Sequence, residues 1–223
     1  MKTKGLILIT IGVLCLLSAL GLVAYNTYED YQASLAAHST LDQIVDYIDE
    51  LQNDTSEGNS QTIPDSDTSA PEIAPPAHEP VIPDYILNPE IEMPSVKIDG
   101  EYYIGVLEIP KLQLALPINS TLSMRRLRST PCRYNGSAYT QDLVIAAHNY
   151  NSHFGNLKQL EHGDLLYFTD MSGNRFTYKV DVIETLIPTA VEEMVNGEWA
   201  LSLFTCTPGG ANRVTLRCDI VNE

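Results

Sequence analysis

The sequence predicts an all-β domain, a closed or nearly closed β-barrel of about eight strands with short helices, preceded by a transmembrane helix and a stalk. Three observations predict this organisation. An uncharged apolar run lies near the N-terminus, an acidic proline-rich segment follows it, and short apolar strands separated by turn residues fill the C-terminal half. Helices long enough to cross over between parallel strands are not predicted there, which disfavours a parallel α/β sheet.

Residues 1–25 form the predicted cytoplasmic tip and signal-anchor helix. The run Gly5 to Tyr25 carries no charge and is long enough, at ~30 Å, to cross a hydrocarbon core. Lys2 and Lys4 precede it and acidic residues follow it, which predicts a cytoplasmic N-terminus and an extracellular domain. A cleaved signal peptide is the alternative, although the apolar core of such peptides is usually shorter, about 7–15 residues.

Residues 26–52 are predicted to continue as a membrane-proximal helix. Two sets of residues recur at three- or four-residue spacing. This helix has three possible roles: a membrane-proximal extension, a weak self-association seam, or a helix laid against the domain. The two sets are Tyr28, Tyr31, Leu35 and His38, and Leu41, Ile44, Ile48 and Leu51.

Residues 53–96 are predicted to form an acidic, proline-rich spacer. Eight of the thirteen prolines lie between Pro64 and Pro94, and most of the net charge of −16 comes from residues 26–99. Such a composition buries too little apolar surface to fold, which predicts an extended segment that gives the domain reach. The acidity argues against a nucleic acid partner. Apolar residues around Tyr85 are predicted to dock on the domain, over its active face as one possibility.

Residues 97–223 form the predicted barrel, in which alternating apolar residues mark the strands. Closing such a sheet removes its exposed edges. Short helices are expected at Thr121–Leu127 and Phe154–Leu160. The predicted strands are Tyr102–Ile109, Leu112–Ile118, Asp142–His148, Leu165–Thr169, Arg175–Thr185, Ala200–Cys206 and Arg213–Val221.

A thiol and a guanidinium are predicted to face each other across one hairpin. Cys206 ends a strand, a Pro-Gly-Gly turn follows, and Arg213 begins the next strand. A nearby cation favours the nucleophilic thiolate and stabilises an oxyanion. His148 ends a buried strand and is the expected proton-transfer partner, whereas His153 is a rival base. With His162, His153 lacks the ligand spacing of a zinc site.

These motifs resemble those of the sortases, cysteine transpeptidases of the Gram-positive cell envelope. The resemblance spans about residues 100–221 and includes the N-terminal anchor. Residues 202–206, Ser-Leu-Phe-Thr-Cys, differ only at the first position from the family's Thr-Leu-x-Thr-Cys. Arg213 early in the next strand, Ala147-His148-Asn149 after an apolar strand, and the opening strand Ile104–Pro110 complete the match.

The resemblance implies an eight-stranded barrel, cleavage of a Leu-Pro-x-Thr-Gly-like sorting signal, and a thioacyl intermediate. The acceptor would be an amine of a peptidoglycan cross-bridge or a pilin lysine. Cys206, His148 and Arg213 are the expected catalytic residues. The expected substrate-binding residues are Thr205, Asn149, Met194 and Trp199, although an ordinary helix packed on the barrel explains Met194 and Trp199 equally well. No cofactor is expected, and calcium dependence is left open.

Other functions compete with transpeptidation. A thiol hydrolase or protease would use the same residues with water as the acceptor. An L,D-transpeptidase also uses Cys, His and Arg, but its histidine and cysteine are close in sequence, unlike His148 and Cys206. A non-catalytic adhesin would not need Cys206. Cys132 and Cys218 are either paired or buried as small hydrophobic residues.

Overall fold

The computed structural model describes residues 2–57 and 83–221. Most of the predicted spacer, residues 58–82, lies outside the described residues. The helices are α1 (Lys2–Glu57), α2 (Asp84–Leu87) and α3 (Val191–Val195). The strands are β1 (Val96–Ile98), β2 (Glu101–Ile109), β3 (Leu114–Asn119), β4 (Cys132–Asn135), β5 (Leu143–Ala146), β6 (Leu165–Asp170), β7 (Arg175–Leu186), β8 (Leu201–Cys206) and β9 (Arg213–Ile220).

Strands β2 to β9 close into an eight-stranded barrel, which confirms the predicted fold class. Their order is β2-β3-β4-β5-β8-β9-β7-β6, and β6 pairs with β2 to close the cylinder. Strand β1 adds to one end of β2 as a short hairpin partner. The interior is filled by fully buried side chains, because alternate residues of each strand point inward. The largest include Tyr178, Phe168, Leu107, Ile118, Leu143, Ile145 and Leu166.

Two of the strand pairs are parallel. β3 pairs with β4, and β5 pairs with β8, both in parallel. The β3–β4 crossover, residues 120–131, contains only the 3-10 turn Arg126–Arg128 where a short helix was predicted. A second 3-10 turn, Leu157–Gln159, replaces the other predicted helix. The β3–β4 crossover therefore contains no α-helix, whereas the connection from β5 to β8 includes β6, β7 and the short helix α3.

A glycine allows β2 and β6 to approach at the closing seam. Gly105 has a φ of 153°, and a Cβ placed there would overlap the backbone carbonyl oxygen of Thr169. The pairing of β2 with β3 shifts register beside it. Residues with a side chain rarely adopt this φ, so the seam requires glycine.

Helix α1 is long and apolar enough near its N-terminus to cross a membrane, by length and composition. Beyond that run it packs along the barrel. Of the first predicted set, Tyr28, Tyr31 and Leu35 are exposed, whereas Ile44 and Ile48 of the second set are buried. The buried face is narrower and starts with small residues, namely Ala33, Ala37, Thr40, Ile44 and Ile48.

Helix α2 docks on the barrel at the end away from Cys206. The ring of Tyr85 stacks on Tyr139 with centroids 4.6 Å apart and lies near Phe176 at the start of β7. The Tyr139 hydroxyl donates to the buried carboxylate of Asp170 at 2.6 Å. The predicted docking therefore occurs, but not over the active face.

Candidate active site

The strand registers bring the three predicted catalytic residues into one row. Strand β5 runs parallel to β8 with Ala146 opposite Phe204, so the residues two positions further on, His148 and Cys206, leave the two strands side by side. Strand β9 is antiparallel to β8 and places Arg213 opposite Cys206. The histidine, thiol and guanidinium thus come from three adjacent strand ends.

These three side chains line one cavity of about 270 Å³. Its walls are mostly apolar and come from the barrel rim, the β3–β4 crossover and the segment after β7. Such a cavity suits an extended peptide with apolar side chains, with a few polar groups at one end. The apolar lining includes Leu122, Met124, Leu127, Ile187, Val191 and Met194.

The β8–β9 turn anchors the guanidinium of Arg213 at the strand end opposite Cys206. The backbone N–H of Thr207 donates to the carbonyl of Asn212 at 2.9 Å, and Gly210 N–H donates to Thr207 at 2.7 Å. Gly209 and Gly210 have φ of 82° and 76°, which glycine adopts without strain. Nη1 of Arg213 donates to the carbonyls of Gly210 and Asn212, leaving its other N–H groups for a ligand.

The surroundings of His148 favour its neutral form. Burial lowers the pKa of His148, the charge of Arg128 lowers it further, and the carboxylate of Glu29 on α1 opposes them. The ring of Tyr150 lies 5.0 Å from the imidazole, centroid to centroid. The imidazole is half-buried at the cavity wall, and so it remains accessible to a substrate there.

His153, the rival base, is 0% exposed. Neither of its ring nitrogens meets a partner with good hydrogen-bond geometry within the described ranges. Burial, and then the neighbouring His148, lower the pKa of His153 to about 4. A side chain with no access to the cavity cannot exchange protons with a substrate there.

The other thiols differ from Cys206 in their surroundings. Cys132 and Cys218 are fully buried and free, so they act as small hydrophobic residues and not as a disulfide. Burial raises the pKa of Cys132 to about 11 and raises that of Cys218 further. Cys206 is partly exposed, and of the four cysteines, all within the described ranges, it alone lines the cavity.

The four predicted substrate-binding residues divide into two pairs. Thr205 and Met194 line the cavity, and the buried Thr205 hydroxyl has no partner among the described residues. Asn149 and Trp199 do not line it. The Asn149 side chain is exposed beyond the strand end, and Trp199 packs against Gly197 in the turn that follows α3.

A buried arginine that the sequence did not reveal supports the cavity wall. Arg217 is 2% exposed and donates to the carbonyls of Met194 and Glu193 in α3 at 3.2 and 2.7 Å. It also donates to Ser202 Oγ and the carboxylate of Glu184, both at 2.8 Å. The helix that carries Met194 is thereby fixed to β8 and β9. Arg217 lies in a strand of alternating residues, and nothing in that sequence pattern indicates that its side chain is buried.

The chain is similar to a family of known proteins. The family description "Sortase domain" matches residues 107–221. Sortase C1 from Streptococcus agalactiae is 25% identical, with a TM-score of 0.49, over 57% of this chain and 72% of that chain. Sortase C1 from Streptococcus suis is 26% identical, with a TM-score of 0.46, over 54% and 74%. A Clostridium perfringens sortase D5 transpeptidase is 19% identical, with a TM-score of 0.47, over 54% and 79%. A search among curated proteins found no match.

Because the family match covers just over half of the chain, this protein belongs to the sortase family. Membership supports the general class of cysteine transpeptidase. Within the described residues, no group of three or more His, Cys, Asp or Glu side chains is arranged to hold a metal ion.

Proposed function

We propose that this protein is a membrane-anchored transpeptidase that cleaves a Leu-Pro-x-Thr-Gly-like sorting signal and transfers the acyl group to an amine. The observation that supports this function is the row of Cys206, His148 and Arg213 at one end of an apolar cavity. The anchor is the apolar run of α1, with the N-terminus in the cytoplasm and the barrel extracellular.

Each residue in the row has a chemical role. Neutral His148 takes the proton of the Cys206 thiol. The thiolate attacks the scissile carbonyl carbon and forms a C–S bond, and Arg213 donates hydrogen bonds to the resulting oxyanion. His148 gives a proton to the nitrogen as the C–N bond breaks, leaving a thioester on Cys206. The acceptor amine then attacks that thioester and loses a proton to His148, and the thiolate leaves. The unpartnered Thr205 hydroxyl is placed to bond the peptide, and Met194 to pack against it.

Two experiments test this proposal. The full-length chain in detergent is incubated with a fluorescent sorting peptide, with and without triglycine, and the products are separated by mass. The expected result is a ligated product that depends on the amine. If the only product is the cleaved peptide with a free carboxylic acid, and triglycine does not change the cleavage rate, the protein is instead a thiol hydrolase.

The thiol assignment needs its own control. Cys206→Ala is expected to abolish cleavage and the thioester adduct seen by mass spectrometry. Cys132→Ala, a buried cysteine outside the cavity, is expected to retain both. Turnover by Cys206→Ala at the parent rate would refute the mechanism, whereas no cleavage by the folded wild-type chain would favour a non-catalytic adhesin. The natural acceptor is identified by offering a peptidoglycan cross-bridge amine or a pilin lysine in place of triglycine and comparing the amounts of ligated product.

A further inference from the structure

The membrane run and the barrel-docked part belong to one uninterrupted helix, α1. The apolar run up to Tyr25 is exposed on all sides, whereas the face from Ala33 to Ile48 is buried against the barrel. A helix that is apolar all round needs an apolar environment. If the run spans a bilayer, the barrel is therefore held at a fixed position relative to the membrane surface.

The first contacts of α1 with the barrel lie beside the candidate active site. The Asp30 carboxylate accepts hydrogen bonds from the backbone N–H of Ser152 at 3.0 Å and of Asn151 at 3.3 Å. The Tyr150 hydroxyl donates to Glu29 at 3.4 Å. These helix residues lie only about 7 Å of helical rise beyond Tyr25, where the apolar run ends.

The last contacts of α1 lie at the other end of the barrel. Ile44 and Ile48 pack with Ile98, Val106 and Met171, next to the turn between β6 and β7. That turn is at the end of the barrel opposite the Cys206–Arg213 row, because β9 runs ~23 Å between the two. Helix α1 thus runs from the active-site end to the far end, which makes the active-site end the membrane-proximal one.

The mouth of the cavity at this end carries exposed apolar side chains. Met124 is 71% exposed and Ile187 61% exposed, and with Leu122 and Val191 they form what we call the apolar rim. The rim comes from two segments on either side of the cavity. Exposed Arg128 lies on the first of them, close enough to His148 for its charge to act there. Exposed apolar side chains next to a cation can contact the upper acyl chains and the lipid headgroups, respectively.

We propose that the apolar rim rests on the outer surface of the membrane, in contact with lipid headgroups and upper acyl chains, so that the peptide cavity opens at the lipid surface. This proposal rests on the membrane anchoring proposed above. A substrate tethered in the same membrane then meets Cys206 without rising from the surface.

Fluorescence quenching by lipids tests the proposal in the full-length chain. The chain has one tryptophan, so Trp199→Phe provides a background for a single reporter. Met124→Trp places the reporter on the rim, and Ile86→Trp places it on exposed α2 at the far end. Both are reconstituted in phosphatidylcholine vesicles with and without brominated acyl chains. The rim reporter is expected to lose most of its emission and the far-end reporter none.

Ile187→Trp repeats the measurement from the second rim segment if Met124→Trp fails to fold. Equal quenching of the rim and far-end reporters, or quenching of neither, would overturn the proposal and leave the rim to a protein partner. Peptide ligation by the wild-type chain in the same vesicles is measured in parallel. Loss of ligation with selective rim quenching would refute the proposed function and not the membrane contact.

Discussion

The unusual burial of His153 leads to a quantitative prediction about stability and pH. In the folded chain its pKa is lowered to about 4, whereas in the unfolded chain an imidazole titrates near 6.5. As the pH falls below 6.5, the unfolded state takes up the proton first. The stability that depends on neutral His153 is therefore fully present above pH 6.5 and is lost progressively towards pH 4. The loss amounts to about 3 kcal/mol at pH 4.

His153→Phe removes this titration and keeps a ring in the site. The free energy of unfolding is measured by urea titration between pH 7.5 and 4 on a chain starting at residue 26, followed by Trp199 fluorescence. The wild type should lose about 3 kcal/mol more than the variant over this range. His162→Asn, which alters an exposed histidine, should keep the wild-type dependence.

Parallel stability curves for the wild type and His153→Phe would show that His153 is not held neutral by burial.

The same variant separates the two candidate bases. Because His153 does not reach the cavity, His153→Phe should retain peptide ligation at pH 7.5, while His148→Ala should lose it. Loss of ligation in a folded His153→Phe protein would contradict the assignment of the base.

Three further predictions follow from other contacts. Arg217→Met should lower the free energy of unfolding by about 1–3 kcal/mol or more, because it leaves the buried carbonyls of Glu193 and Met194 unpaired. Arg175→Gln, which breaks an exposed ion pair, should cost at most about 1 kcal/mol in the same urea titration. Arg128→Gln removes a charge that lowers the pKa of His148, so the His148 titration followed by NMR should move to higher pH, and an unchanged pKa would contradict the described electrostatics. Gly105→Ala should lower the melting temperature, because its Cβ overlaps the neighbouring strand at the barrel seam; an unchanged melting temperature would mean that the seam opens freely.

The barrel could be predicted because the local sequence pattern is enough to predict most of its strands. Strands such as β7 alternate apolar and polar residues and are bounded by turns, and their predicted and observed ranges nearly coincide. Strand β4, Cys-Arg-Tyr-Asn, has no such alternation, and its pairing with β5 depends on long-range contacts. The proximity of Cys206, His148 and Arg213 could be inferred from their positions at strand ends. The registers of the β5–β8 and β8–β9 pairs, which align the three residues, could be read only from the structure.

The start of the docked face of α1 and the burial of Arg217 could not be predicted, for different reasons. The docked face of α1 begins with Ala33 and Ala37, which pack closely but give a weak apolar signal beside Tyr28 and Tyr31. Arg217 occupies a strand position that looks solvent-facing, and only the backbone carbonyls of α3 make it a buried one. In both cases, contacts with residues distant in the sequence determine which side chains are buried.

The docking of α1 changes what the acidic segment can be used for. Ile48 before that segment and Tyr85 after it both pack near the turn between β6 and β7, at the barrel end away from Cys206. A segment attached by both flanks to the same end of the domain does not set the distance between the candidate active site and the apolar run of α1. Its length and charge can therefore vary without moving the candidate active site relative to α1.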